Sequence, residues 1–400
     1  MKPATVRRLF SSSGARKPLG KAQDFEKLDI FASRPQVLVN LSSVLDVSTG
    51  KLAWKTGENS TSSYEMTSPK LAVGTSIPDA GLLQSAQYLH REIPVRLARA
   101  MSEMDKIAGT GLTLCRSVRR VRSDYLRSFK DLQSTQYPVN SASLNAFTTT
   151  LMEVHTRGES TVLLMARGLQ ELVRQRSKPR EKALTRPAGN EEANIAADLK
   201  SVQDFLDSFY QNRVAQRFLC GHFLALYSPP RKGYVGLVRP VTSLRQVASS
   251  AASEAAHICT QALGACPQVT LRILEPPQGN QWRGVYPGAR GKMRGDEVAA
   301  VPEYVHYVLL ELIKNAMRVT METHGPKDRK GGGFRSTGGG GRDGGDDVGV
   351  EGGRVPGGGL VFAGVPPVLI TVEADGLEDV LVTVSDEGGG ISKEDMPKVS

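Results

Sequence analysis

The residue types best suited to chemistry lie on one face of residues 301–324. At about 100° per residue, a helix through this segment places a carboxylate, an ammonium, a carboxamide and a guanidinium within an arc of about 100°. These groups belong to Glu311, Lys314, Asn315 and Arg318. Together they can hold a metal ion and phosphates. They also suit a solvated helix surface, so both interpretations stay open for this segment alone.

The opposite face of the same helix is apolar. Its members recur at spacings of three and four residues: Val305, Leu309, Leu312, Ile313, Ala316 and Met317. Such a stripe is what a helix buries against a sheet. The pattern predicts an amphipathic helix whose core-facing side fixes the direction of the polar side.

A second group of interest, residues 386–390 with the sequence DEGGG, comes after two strand-like runs. Residues 368–373 and 379–385 alternate apolar with polar side chains, and Asp375-Gly376 between them is a turn signal. Glycines let the backbone approach a ligand closely, and an acid at a strand end can accept a hydrogen bond from an exocyclic amine. Taken alone, the motif fits an ordinary glycine-rich turn equally well.

The pair ELIKNAMR and DEGGG, in this order across a β-hairpin, resembles the N box and first glycine box of the ATP-binding fold of gyrase, Hsp90, MutL and histidine kinases. Within that superfamily, LELIKNAMRVTMETH is similar to the mitochondrial protein kinases of the 2-oxoacid dehydrogenases. Upstream, LLQSAQYLHREIPVRLARAM and FLCGHFLALYSPPRKGYVGLVRPVTSL resemble that family's N-terminal helical domain. The resemblance implies a helical domain followed by a histidine-kinase-like α/β sandwich.

The resemblance also implies roles for individual residues in a phosphoryl transfer that uses ATP and Mg²⁺. It assigns Mg²⁺ coordination to the side-chain carbonyl of Asn315 and a hydrogen bond with the adenine amino group to Asp386. Gly388 and Gly390 would let the backbone pass the nucleotide. Glu311 would orient or deprotonate the hydroxyl of the substrate serine, which a carboxylate within hydrogen-bond reach can do.

Two further features of the helix refine this expectation. Lys314 and Arg318 lie within a turn of these groups and are expected to contact phosphates. Tyr307 stands one turn before Glu311, where the pyruvate dehydrogenase kinases carry a histidine. Tyrosine cannot relay a proton near neutral pH as imidazole does, so Glu311 is expected to work without a histidine partner. At this position, and in TMETH and PPVLITVEA, the sequence resembles the branched-chain kinase better.

The implied function is ATP-dependent phosphorylation of a serine on the α subunit of the branched-chain 2-oxoacid dehydrogenase decarboxylase, which inactivates the complex in the mitochondrial matrix. The nearest alternative is a pyruvate dehydrogenase kinase. Ser400 ends the sequence before the family's second glycine-rich box, as expected for a C-terminally truncated kinase. A third interpretation is therefore a non-catalytic module that docks to the lipoyl-bearing acyltransferase core. The resemblance also implies a homodimer.

Helical periodicity predicts a four-helix bundle over residues 81–240. The expected helices cover about 82–104, 112–132, 142–175 and 194–226. Pro94 is expected to kink or restart the first helix, and a charged, proline-containing insertion is expected at 176–193. His222, in the last helix, is interpreted as a packed structural residue.

The partial ATP-binding domain is expected over residues 241–400. A helix from about Ser243 to Leu263 can be capped by Thr242, and alternating residues from Val269 predict a half-buried strand. The glycine-rich residues 325–359 lack the GxxxxGK[ST] phosphate-loop pattern and have the composition of a flexible coil. They are interpreted as a disordered insertion, with a nucleotide cradle as the alternative.

The first 23 residues are expected to be a mitochondrial transit peptide, because they are rich in Arg and Ser and free of acids. A disordered basic tail is the alternative. Six of the ten net positive charges lie in this segment, so the rest does not argue for nucleic-acid binding. No apolar stretch predicts a membrane span. Residues 24–80 are expected to be a mostly irregular lead-in, and the four scattered cysteines to be reduced thiols.

Overall fold

A computed structural model describes residues 22–36, 41, 44, 52–53, 65–66, 79–176, 191–274, 296–325, 362, 364–375 and 379–393. Most of the expected transit peptide, most of the 176–193 insertion and the glycine-rich residues from 326 onward lie outside the described residues. The chain divides into two compact units, Met1–Pro230 and Arg231–Ser400. The predicted start of the second domain, residue 241, falls inside a strand of the second unit.

The first unit is built from helices whose apolar faces meet in one core. The helices are α1 (Ala22–Ala32), α2 (Asp79–Lys106), α3 (Arg116–Ser134), α4 (Ser141–Arg157), α5 (Thr161–Arg176) and α6 (Glu191–Tyr227). Two short 3-10 turns, Ala108–Thr110 and Leu112–Leu114, connect α2 to α3. Two strands of two residues each, β1 (Leu52–Ala53) and β2 (Glu65–Met66), pair antiparallel.

Helix α2 runs through Pro94 without the restart that the sequence suggested. Proline removes one backbone donor at this point. The neighbouring Ile93, Leu97 and Met101 are nevertheless 1% exposed or less, so the continuous helix buries an unbroken apolar stripe. This burial outweighs the loss of one hydrogen bond.

The single helix predicted over residues 142–175 is wrong, because two helices, α4 and α5, occupy this range. Side chains from α6 bind the carbonyls at the end of α4: Arg213 Nη2 donates to Gly158 O at 2.7 Å, and Arg217 Nη1 donates to His155 O at 2.9 Å. Terminal carbonyls have no partner within their own helix, and cations stabilise that end. The four-helix bundle is therefore not confirmed, since helices α1 to α6 all contribute to one core.

Helix α1 begins at Ala22, in the last residues of the expected transit peptide, and continues into the segment that was expected to be mostly irregular. Leu28 is 6% exposed, and the Phe31 ring centroid lies 5.2 Å from that of Phe129 on α3. Beyond the helix end, Arg99 Nη2 donates to Arg34 O at 2.9 Å. An 11-residue helix with so few anchors gives a weak periodic signal and depends on tertiary contacts.

The second unit combines two sheets with two long helices. Strands β3 (Arg239–Ser243) and β5 (Glu297–Ala300) form an antiparallel pair. A three-stranded sheet has the order β4-β6-β7, with β4 parallel to β6 and β6 antiparallel to β7, which confirms the predicted hairpin. Its strands are β4 (Val269–Leu274), β6 (Val368–Asp375) and β7 (Asp379–Ser385), and the helices are α7 (Leu244–Leu263) and α8 (Pro302–His324).

Helices α7 and α8 share one core with the three-stranded sheet, as expected for an α/β sandwich. Their small and branched buried side chains pack with those of β6, among them Ala251, Ala255, Ile313, Met317, Val368 and Ile370. The cap of α7 is Ser243, whose Oγ accepts from Gln246 N at 3.3 Å. The predicted cap, Thr242, instead donates its hydroxyl to Arg239 O at 3.0 Å.

The four cysteines are free and buried, as the spacing predicted. Among the described helices, none is long and apolar enough to cross a membrane.

Candidate functional site

Helix α8 begins at Pro302, where the fixed φ of proline suits the first turn and its missing N–H is no loss. The residues facing the core, Leu309, Ile313 and Met317, are 4% exposed or less. Burial of this stripe fixes the rotation of the helix about its axis. It thereby fixes the direction in which the polar face points.

Leu312 departs from the predicted apolar stripe, because it is 49% exposed. Val308, one turn earlier, is also exposed. The core covers the centre of the stripe and leaves its edge uncovered. Periodicity locates the middle of a buried face well, but its width depends on the surface against which the helix packs.

The four polar residues predicted on α8 all face away from the core. Glu311 and Lys314 are half-buried, whereas Asn315 and Arg318 are exposed. Lys314 Nζ donates to Glu311 Oε1 at 2.8 Å, and Arg318 Nη1 lies 3.5 Å from Glu322 Oε1. The structure therefore pairs the candidate base with Lys314, a contact that the sequence analysis did not predict.

The histidine nearest to Glu311 in the chain, His306, is directed toward α7. Its Nε2 lies 3.4 Å from Ser250 Oγ and 3.5 Å from Glu254 Oε2. Tyr307, one turn before Glu311, is 63% exposed. The expectation that Glu311 works without a histidine partner stays a prediction.

The DEGGG residues form a loop directly after β7. Asp386 Oδ1 accepts a hydrogen bond from Gly388 N at 2.8 Å, which closes a tight turn. Gly389 and Gly390 have φ angles of 97° and 72°, a region that favours glycine. Among the described residues, nothing lies within 4 Å of a Cβ placed on either glycine, so this part of the loop is open to a ligand.

Gly388 is needed for a different reason, since a Cβ there would overlap the side chain of Val319 on α8. Two residues at the end of α8 also hold the loop. Thr323 Oγ1 donates to Gly388 O at 3.0 Å, and His324 Nε2 lies 2.8 Å from Glu387 O. Because a carbonyl oxygen only accepts, Nε2 is the donor. The sequence analysis missed both residues, since nothing in their spacing separates them from a solvated helix end.

These contacts hold the DEGGG loop against the C-terminal part of α8, after the last residue of the ELIKNAMR motif. Asn315 precedes Val319 by one turn, so the two side chains lie on the same face. Glu311 precedes Val319 by about 12 Å along the axis, at about 1.5 Å per residue. The loop therefore contacts α8 one turn after the candidate metal ligand, and the candidate base lies further back along the same face.

The donors present fit a magnesium ion that arrives with phosphates. Among the described residues, no three His, Cys, Asp or Glu side chains are grouped so that they could hold a metal ion. Mg²⁺ usually keeps several waters and binds one or two protein oxygens together with substrate phosphates. The exposed carboxamide of Asn315 can provide one such oxygen.

His222, which was interpreted as structural, lies in the core of the first unit. It is 4% exposed, and its ring centroid is 5.6 Å from that of Phe218. Burial lowers the pKa of His222 to about 3, so the ring is neutral in the folded chain near neutral pH. Its position agrees with the structural interpretation.

Comparisons with known proteins find similarity over much of the chain. A family model described as mitochondrial branched-chain alpha-ketoacid dehydrogenase kinase matches residues 67–239. The chain is similar to a mitochondrial pyruvate dehydrogenase kinase of Arabidopsis thaliana, with 28% identity over 330 residues, covering 82% of this chain and 69% of the relative. It is also similar to pyruvate dehydrogenase kinase isozyme 4 of Mus musculus, with 30% identity, covering 60% of this chain and 52% of the relative.

The chain thus spans about half to two thirds of the length of these relatives. The family model matches the helical part, and the similarity to the Arabidopsis protein extends over most of the chain. The glycine box, which with the N box carried the resemblance in the sequence, contacts α8 through Val319, Thr323 and His324, just after the N box. The chain is similar to the mitochondrial kinases of the 2-oxoacid dehydrogenases.

Proposed function

We propose that the chain is a protein-serine kinase that transfers the γ-phosphoryl group of ATP to a 2-oxoacid dehydrogenase complex. The observation that carries this proposal is the contact of Gly388 with Val319, one turn after Asn315. Because Asn315 and Val319 lie one turn apart on the same face of α8, this contact supports a site that uses both the glycine loop and the carboxamide. Phosphoryl transfer depends chiefly on positioning and charge neutralisation, which such a site can supply.

Each polar residue has a role consistent with its position. ATP, when bound, supplies the phosphoryl group. Asn315 would hold Mg²⁺ through its side-chain oxygen, and Glu311 would accept a hydrogen bond from the substrate serine hydroxyl and take its proton. Asp386 uses one oxygen for the Gly388 amide. Because its carboxylate is exposed, it can also accept from the adenine amino group.

Lys314 and Arg318 would contribute positive charge near the phosphates. Lys314 would have to leave Glu311, its partner at 2.8 Å, to reach them. A surface ion pair of this kind is worth only about 0–1 kcal/mol, so a phosphate can compete for the ammonium.

The substrate proposed is a serine on the decarboxylase α subunit of the branched-chain complex. The branched-chain description of the family model and Tyr307 favour this complex. The names of the curated relatives favour the pyruvate complex instead. The resemblance to the 2-oxoacid dehydrogenase kinases also supports binding to the lipoyl-bearing core, homodimerisation and a location in the mitochondrial matrix.

The test is a phosphorylation assay with both purified complexes. The chain is incubated with labelled ATP, Mg²⁺ and each complex, and the labelled peptides are identified by mass spectrometry. We expect label on a serine of the branched-chain α subunit. Label on the pyruvate complex alone would establish the alternative substrate. No label on either, with retention of the chain on the lipoyl-bearing core, would reject the kinase and favour the docking module.

A further inference from the structure

We propose that Thr323 and His324 are positioning residues for nucleotide binding, because they fix the 386–390 loop to α8. The inference rests on the proposed function and concerns residues outside both recognised motifs. The loop and the helix would behave as one rigid body. A nucleotide would then meet a preformed surface instead of ordering the loop itself.

Gly388 is held on three sides. Its N–H donates to Asp386 Oδ1 at 2.8 Å, its carbonyl accepts from Thr323 Oγ1 at 3.0 Å, and its Cα lies against the side chain of Val319. The preceding carbonyl, that of Glu387, accepts from His324 Nε2 at 2.8 Å. Both flexible peptide units before the open glycines are therefore anchored to one turn of α8.

The anchoring matters because the next two residues, Gly389 and Gly390, have open space around the position of a Cβ. Gly389 and Gly390 adopt positive φ in open space, where glycine has more conformational freedom than any other residue. Ordering such residues at the moment of binding lowers affinity, whereas a preorganised loop has already lost that freedom on folding. Because Gly389 and Gly390 follow Gly388 directly, anchoring Gly388 to α8 fixes where both glycines lie.

Both anchors act through carbonyl oxygens of the loop. Thr323 and His324 donate to Gly388 O and Glu387 O, so they use none of the backbone N–H groups of the loop. The Gly388 N–H donates to Asp386 Oδ1. The anchors thus order the loop without occupying the Asp386 carboxylate, which is assigned to the adenine amino group.

Both anchors are exposed, so their replacement does not open the core. We expect Thr323→Val and His324→Leu each to weaken binding of a fluorescent ADP analogue about fivefold, as for the loss of one hydrogen bond. Thr323→Ser and His324→Gln keep a donor and should restore affinity. The unfolding temperature should not change, which separates positioning from a merely structural role.

Matched controls are available outside the loop. Thr149 donates to Asn145 O within α4, and His257 lies 2.9 Å from Gln261 Nε2 within α7. Thr149→Val and His257→Gln should bind the analogue as the wild-type chain does. Wild-type affinity in Thr323→Val and His324→Leu would overturn the proposal.

Hydrogen exchange of residues 386–390 without nucleotide gives a second readout that does not depend on the proposed function. Faster exchange in Thr323→Val and His324→Leu, reversed in the two conservative variants, would support anchoring even if the wild-type chain bound no adenine nucleotide. Absence of binding by the wild-type chain would count against the kinase. Unchanged exchange would overturn the anchoring.

Discussion

Helices α6 and α8 both carry cationic side chains, yet they use them in opposite ways. Arg213 on α6 is 6% exposed and donates to Gly158 O at 2.7 Å, at the end of α4. Arg318 on α8 keeps 59% of its side chain exposed and lies 3.5 Å from Glu322. A buried guanidinium must be satisfied by the fold, whereas an exposed one stays available to a ligand.

The residues around the arginines of α6 also show that these cations serve the fold. Near the arginines of α6, burial raises the pKa of Tyr125, and Arg213 opposes this rise. Burial and Arg217 lower the pKa of His155. Arg217 Nη2 lies 3.1 Å from His155 Nε2, which must accept because arginine only donates. The inward cations therefore hold helices together, and the outward ones are suited to an incoming anion.

The sharpest test of the outward face is Glu311→Gln. We expect turnover to fall about 10²- to 10⁴-fold, as for the loss of a general base. The free energy of unfolding should change by less than about 1 kcal/mol, since only an exposed ion pair is lost. Kinase activity and chemical denaturation measure the two quantities. Near-wild-type turnover would remove Glu311 as the base.

The inward face is tested by Arg213→Met. Loss of the charged hydrogen bond from this buried guanidinium to the half-buried Gly158 carbonyl should lower the free energy of unfolding by about 2–3 kcal/mol, measured by chemical denaturation followed by circular dichroism. The matched replacement on α8, Arg318→Met, should change it by about 0.5 kcal/mol or less. Equal losses in both variants would contradict the division between the two helices.

Acidification provides a smaller test of the buried core. Because burial lowers the pKa of His222 to about 3, the unfolded chain binds a proton here that the folded chain does not. Stability contributed above pH 6.5 is lost as pH falls from 6.5 toward 3, by about 1.4 kcal/mol at pH 5.5. His222→Leu should lose that much less than the wild-type chain between pH 7.5 and 5.5. Burial also lowers the pKa of His155, but this residue is present in both the wild-type chain and His222→Leu. If both lose the same free energy of unfolding on acidification, His222 is not the source of the loss.

The smallest expected effect on stability is that of Lys314→Met. Its ion pair with Glu311 joins two side chains that are 31% and 42% exposed, so its removal should cost less than about 0.5 kcal/mol. Affinity for ATP with Mg²⁺ should fall several-fold, because one positive charge near the phosphates is removed. Isothermal titration with ATP, and with adenosine as the uncharged control, separates phosphate recognition from adenine recognition.

Sequence reasoning did best where one periodic pattern decides the outcome. The limits of α8, the hairpin of β6 and β7 and the buried cysteines were all predicted from spacing and turn residues. The break between α4 and α5 was not predicted, although Gly158 at the end of α4 and Ser160 before α5 are local stop and start signals. Only the structure shows that Arg213, far along the chain, binds the Gly158 carbonyl.

The site divides in the same manner. The sequence by itself determined which groups share a face of α8, because helical geometry ties spacing to direction, and it determined that DEGGG would come directly after a strand. Only the tertiary structure decided that Leu312 stays exposed and that Thr323 and His324 anchor the loop. The reason is physical, since hydrogen bonds between residues some sixty positions apart depend on how the helix rests on its sheet, which spacing along the chain does not encode.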